Sequence, residues 1–205
     1  MCGILKLHLS ICLVLLIHIK LIFQFKPFDK CWYKVSNGET PTSTPSITKA
    51  NLICNFIYLD VFERTKFAKE KNHEYLIEQF QTLNGFHLAE NLINANVRLF
   101  FNHTIKELFW TYRTDVATLY NDYNNYASVT NYATSNELII APFTEMNLRF
   151  NGNDRFEKLS ETFFRLYQPY KHHSSGTNDY IYMYSFAIHP EDTQPSGTCN
   201  FSKLD

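Results

Sequence analysis

Four places in the sequence bring together side chains that could do chemistry. The first is His172-His173, within QPYKHHSSG. A metal ion needs imidazoles that converge on one point, and neighbours on an extended strand point to opposite faces. This pair therefore does not grip one ion, and no H-x-H pair with a downstream Glu replaces it. The second is His73-Glu74, which begins like the zinc motif H-E-x-x-H but has Ile77 where the second His belongs. The third is Ser196-Gly197, which follows Pro195; without G-x-S-x-G it reads as turn chemistry rather than a nucleophile elbow. The fourth is Glu191-Asp192, two adjacent acids best read as solvated. No G-x-G-x-x-G or phosphate loop occurs either. The sequence thus predicts no catalytic residue, no cofactor and no metal ligand, and a chain that is not an enzyme.

Two further features bear on modification. Asn102-His103-Thr104 and Asn200-Phe201-Ser202 are N-x-[ST] tripeptides, a pattern that also arises often by chance. The five cysteines, at 2, 12, 31, 54 and 199, form no C-x-x-C pair and are odd in number. They fit neither a zinc spacing nor a disulfide framework, and read as small buried or unpaired thiols in a reducing compartment.

Composition sets the frame for these residues. The chain has 205 residues, enough for one domain with a real core. Aromatics make up 16% of it, with 18 Phe and 13 Tyr against 6 Gly, which favours pleated, half-buried surfaces. Nineteen Lys and Arg balance 20 Asp and Glu for a net charge of -1, so there is no electrostatic footprint for nucleic acid.

The elements follow from periodicity. Residues 4–25 are strongly apolar but interrupted by Lys6, His8, His18 and Lys20, leaving Ile11 to Ile17 as a core of seven residues. That is short of the ~20 of a membrane-spanning helix. It is nearer a signal-peptide h-region, with Lys6 as n-region, yet no small-x-small cleavage site follows. A core strand or a non-native leader is preferred, and membrane contact through residues 4–25 is the lesser reading. The polar SNGETPTSTPS at 36–46 reads as a linker, placing the main boundary near residue 47. Residues 1–46 are then leader and linker, and 47–205 the main domain.

Within that domain, residues 51–60 read as a buried strand. Asp60 and Glu63 have capping-box spacing for a short helix over about 61–70. Residues 74–80, 97–101 and 105–113 are predicted strands. In the last, Lys106, Leu108, Trp110 and Tyr112 share one face, and Glu107, Phe109, Thr111 and Arg113 the other. Residues 114–136, rich in Asn and Tyr, read as a long surface loop. Strands return at 137–140 and 145–150, then the strong turn signal Asn151-Gly152, then a strand over 180–188. Many short strands with long polar connections predict an all-β protein, a β-sandwich of jelly-roll or related type with short helices in the connections.

Several segments also resemble a known family. PSGTCNFSKLD at 195–205 is similar to the PSGTCNFSRID signature of major capsid proteins from nucleocytoplasmic large DNA viruses. YIYMYSFAIHPEDTQ (180–194), NGNDRF (151–156), FFRLYQPYKHH (163–173), FNHTIKELFWTYR (101–113) and FIYLDVFERTKFAKEKNHEYLIEQ (56–79) resemble further blocks of that family, in its order. The resemblance implies two jelly rolls per chain, homotrimers of pseudo-hexagonal outline, and an icosahedral shell. The matched blocks belong to the second jelly roll. Its partners would be neighbouring capsomers and minor capsid proteins, without nucleic acid or small-molecule substrate. The location would be the virion, assembled in the infected host cytoplasm.

Nothing before residue 47 resembles the first jelly roll, and family members continue beyond the FSKLD block into final strands. The resemblance therefore implies a fragment or split gene product, an incomplete second jelly roll expected not to assemble capsomers alone. It also implies that the 114–136 loop faces outward. The alternative is a jelly-roll glycan-binding module, since Tyr faces stack on sugars and Asn amides bond to them. A cupin-like metal enzyme lacks its ligand pattern.

Overall fold

The computed structural model describes residues 22, 24–32, 42–53, 55, 57–72, 74, 76–89, 92–128, 140–176 and 179–204. The backbone groups into two units: residues 1–26 with 45–80, and residues 27–44 with 81–205. Most of the leader predicted at residues 4–25 lies outside the described residues. No helix among the described residues is long and apolar enough to cross a membrane.

In the first unit the capping-box expectation holds. Helix α1 spans Val61–Lys69, and the Asp60 side chain accepts a hydrogen bond from the Glu63 amide at 2.7 Å. This satisfies one of the amides that a first helical turn leaves unpaired. The flanking strand expectations fail. The described parts of 51–60 and 74–80 have no ladder partner, and Ile53, Ile57, Tyr58 and Phe80 are all at least 88% exposed. Apolar runs become strands only where a second strand takes their backbone groups and a layer covers their side chains. Neither is present among the described residues here.

The second unit is β-rich, with eight short antiparallel strands among the described residues. They are β1 (Thr104–Ile105), β2 (Glu107–Thr111), β3 (Glu145–Met146), β4 (Arg149–Phe150), β5 (Asn153–Asp154), β6 (Leu159–Ser160), β7 (Ile181–Ser185) and β8 (Cys199–Asn200). They pair as β1–β8, β2–β7, β3–β6 and β4–β5. The predicted strand over 97–101 is not formed. Val97 and Phe100 are exposed, and only Phe101 turns inward, its ring 5.9 Å from Phe201.

The β4–β5 hairpin shows the turn chemistry directly. Asn151 (φ 51°) and Gly152 (φ 78°) are both left-handed, the requirement of a two-residue type I′ turn. The segment 145–150, expected as one strand, divides into β3 and β4. Residues 114–136, expected as a loop without period, begin instead with α2 (Asp115–Leu119), because the Thr114 hydroxyl caps the Ala117 amide at 3.1 Å. Ala117 and Ala127 are buried together beneath Tyr120 and Tyr180. Residues 137–139 of the next predicted strand lie outside the described residues, and Ile140 makes a single bridge to Ser128.

The β2–β7 ladder carries the core. Trp110 stands opposite Tyr182, and Leu108 opposite Tyr184. Tyr182 and Phe164 are fully buried, Trp110 packs edge-on to Phe164 at 5.4 Å, and Phe143 lies 4.6 Å from Tyr182. A second cluster joins Leu108, Leu148 and Phe201 beneath Phe156, Tyr184 and Phe186. Phe164 is presented by an irregular helical stretch, a π-helical turn over Phe163–Tyr167 running into α3 (Gln168–His172). Within it Glu161 and Arg165 form a two-pronged pair, both contacts 2.9 Å. The Arg165 guanidinium lies over the Tyr180 ring at 4.8 Å.

Candidate functional site

The densest polar arrangement in the second unit lies at one end of the β2–β7 ladder. Glu107 opens β2 opposite Ser185, on the same face as Phe109. Its side chain is only 9% exposed. Across from it, α3 ends at His172, and His173 turns to extended backbone (φ -119°, ψ 153°). That change of direction separates the adjacent imidazoles. His172 Nδ1 meets the Ile188 carbonyl at 3.0 Å. His173 points elsewhere: its Nε2 lies 2.7 Å from Glu107 Oε2, and its Nδ1 lies 3.1 Å from Glu191 Oε1. The Phe109 ring meets the His173 ring edge-on at 6.0 Å.

Glu191 is tied down further. The backbone N–H and the hydroxyl of Ser174 each donate to its Oε1 at 3.1 Å. Those bonds, the amide first and then the hydroxyl and His173, hold the Glu191 carboxyl below its ordinary range. Nearby contacts fasten the same segments. The buried Gln168 accepts from the Ser185 amide at 3.1 Å, Lys106 Nζ donates to the Pro190 carbonyl, and the Phe186 amide donates to the Lys106 carbonyl. The start of β2, the end of α3 and the chain after β7 are thereby joined by side chains from all three.

The segment after that junction is shaped by one glycine. At Gly197 (φ 156°) a Cβ would lie 2.6 Å from the Phe186 carbonyl oxygen and 3.2 Å from Ala187 Cα. Only glycine permits this approach. Ser196 confirms its reading as turn chemistry: its hydroxyl accepts from the His189 amide at 2.8 Å and donates to the His189 carbonyl at 3.0 Å. The chain then enters β8, places Phe201 in the core, and closes with Asn200 Oδ1 accepting from the Ser202 amide.

The remaining sequence candidates separate clearly. His73 lies outside the described residues, and Glu74 is exposed. Among the described residues no three His, Cys, Asp or Glu side chains form a group that could hold a metal ion. Cys31 is exposed and Cys199 half-buried, and burial pushes the Cys199 thiol up. The two sequons are unequal. The Asn200 carboxamide caps a turn, and the Ser202 hydroxyl accepts from the His103 amide at 2.6 Å. Asn102 is exposed, and its carboxamide has no hydrogen-bond partner among the described residues.

The reading of isolated residues missed the joint role of Glu107, His173 and Glu191. The available signal was a Glu placed beside Phe109 on one strand face, within KELFW. It has the same standing as QPYKHH and HPED, which the fold brings to the same point.

With this geometry in hand, the comparisons with known proteins fall into place. A family model described as large eukaryotic DNA virus major capsid protein matches residues 63–205. The major capsid protein of Pyramimonas orientalis virus is 33% identical over 186 residues, covering 80% of this chain and 41% of that protein. The major capsid protein of Paramecium bursaria Chlorella virus 1 is 33% identical over 191 residues, covering 82% of this chain and 43% of its own length. A solved quasi-atomic structure of the PBCV-1 virus capsid aligns with 53% of this chain and 30% of that one, at 29% identity and a TM-score of 0.44. The chain belongs to the family of large eukaryotic DNA virus major capsid proteins. It spans about two-fifths of the length of these two relatives.

Proposed function

We propose that this chain is a structural component of the icosahedral shell of a large DNA virus, contributing jelly-roll strands of the second of two such domains. In this reading it acts in the virion, assembled in the infected host cytoplasm, through contacts with copies of itself in trimeric, pseudo-hexagonal capsomers and with minor capsid proteins. It carries no catalysis of its own. Residues 1–46 stand apart as leader and linker, and 47–205 form the shell domain. The observation that carries the proposal is the family match over 63–205.

Two structural features support it. Residues 45–80 present Ile53, Ile57, Tyr58, Phe62 and Phe80 to solvent, more apolar surface in one stretch than a self-sufficient domain leaves open. Contact with further shell polypeptide would cover it. The polar centre around His173, by contrast, joins three segments of the chain to one another. The glycan-binding alternative is weakened by the Tyr-rich loop itself. Arg113 lies over both Tyr123 and Tyr126, at 5.6 Å from each ring, so one face of each is already occupied.

Mass spectrometry of purified virions tests the proposal. Peptides from 81–204 are expected at the abundance of a shell protein, with the 114–136 stretch cleaved by protease in intact particles. Absence of the chain from particles, in cells that make it, would overturn the shell assignment. Complete protection of 114–136 would overturn its outward placement.

A further inference from the structure

We propose that Glu107, His173 and Glu191 form a proton-held clamp, in which a charged imidazole ties the start of β2 to the end of α3 and to the turn after β7. Both ring nitrogens of His173 face carboxylate oxygens, at 2.7 and 3.1 Å. A neutral imidazole has one N–H and one lone pair, so it satisfies one carboxylate and repels the other. Only the imidazolium donates to both. The pair with Glu107 is well shielded, with side-chain exposures of 20% and 9%, whereas the Glu191 side chain is 45% exposed. On proton loss the remaining N–H stays with Glu107, which has little access to water. The contact to Glu191 is the one that opens, since water can solvate that carboxylate.

The charged and titratable neighbours on each packed element have contacts of their own. On β2 and just before it, Lys106 is directed to the Pro190 carbonyl. On α3, His172 meets the Ile188 carbonyl and Lys171 lies over the Tyr167 ring. In the turn, Ser174 supports Glu191 by two donated bonds, and the His189 backbone is held by Ser196. Among the described residues no further acid or base pairs with the His173 ring.

The pH dependence follows from Glu191. The Ser174 amide, then its hydroxyl and His173, hold the Glu191 carboxyl below its ordinary range, so its share of the clamp's stability is present above the unfolded-state titration and lost as pH falls through the folded one. The clamp therefore loosens as pH falls and the Glu191 carboxylate takes up a proton.

The test uses the full chain. Nitrogen NMR of the His173 side chain is expected to show both ring nitrogens protonated in the closed clamp, with the Nδ1 proton the one lost when the clamp opens. Opening that contact should speed exchange of the Ser174 amide about tenfold, the effect of one charge-assisted bond. The gap in Tm between the parent and His173→Gln should shrink as pH falls and the Glu191 carboxylate is protonated. A neutral ring across the whole range, or a Tm gap independent of pH, would overturn the clamp. Should His173→Gln fail to fold, the NMR titration of the parent chain decides alone.

Discussion

Among the described residues, 45–80 and 101–204 both carry apolar runs, yet only the second set is packed. In the first, Ile57 and Tyr58 stand in solvent although their run is as apolar as YIYMYSFAI. In the second, Tyr182, Met183 and Ala187 are buried because β2 supplies the ladder and Phe164 the cover. Apolar pattern sets what a segment can become. A partner strand and a covering layer decide whether it does.

The sharpest way to break this contrast is a matched pair of truncations. Phe164→Ala, at a fully buried ring, should cost about 3–5 kcal/mol in chemical denaturation. Phe62→Ala, at a ring 78% exposed, should change stability by no more than about 0.5 kcal/mol. Equal losses would show that Phe62 is as well covered as Phe164. Next in size is a glycine pair. Gly197→Ala drives a methyl into the Phe186 carbonyl and should cost about 1–3 kcal/mol, while Gly85→Ala meets nothing within 4 Å and should be neutral or stabilise by under about 1 kcal/mol.

A smaller effect is expected at the helix of the first unit. Asp60→Ala leaves the Glu63 amide without its side-chain acceptor and should cost α1 about 1 kcal/mol. Faster amide exchange confined to 61–69 would register it. Smallest is Tyr182→Phe. The Tyr182 hydroxyl and Trp110 Nε1 are buried with no hydrogen-bond partner among the described residues, and burial pushes the phenol well above its ordinary range. Removing that hydroxyl should leave Tm unchanged or raise it slightly, by less than about 1 kcal/mol of stability. A large loss would reveal a partner for the hydroxyl.

Much of this fold is readable from local chemistry. The Asn151-Gly152 turn, the Asp60 cap and the alternation of Leu108 and Trp110 against Phe109 depend on neighbours in sequence, and all three appear as expected. The strands at 51–60, 74–80 and 97–101 do not, because their formation depends on partners no local pattern can supply. The helical stretch carrying Phe164 escaped notice since its mixed period joins a π-helical turn to α3. The His173 centre was hidden differently. Its three residues are far apart in sequence, and each alone reads as a surface group; only the β2–β7 register and the turn at His173 bring them together.

Hydrogen–deuterium exchange, run on the isolated chain and on purified particles, tests the central claim most directly. That claim is a packed β2–β7 unit within a shell protein whose residues 45–80 are completed by assembly. The predicted result is strong protection of Glu107–Thr111 and Ile181–Ser185 in both states, with the segments flanking α1, 51–60 and 70–80, unprotected alone and protected in particles. Those flanking segments equally unprotected in particles, or β2 and β7 unprotected in the isolated chain, would contradict it.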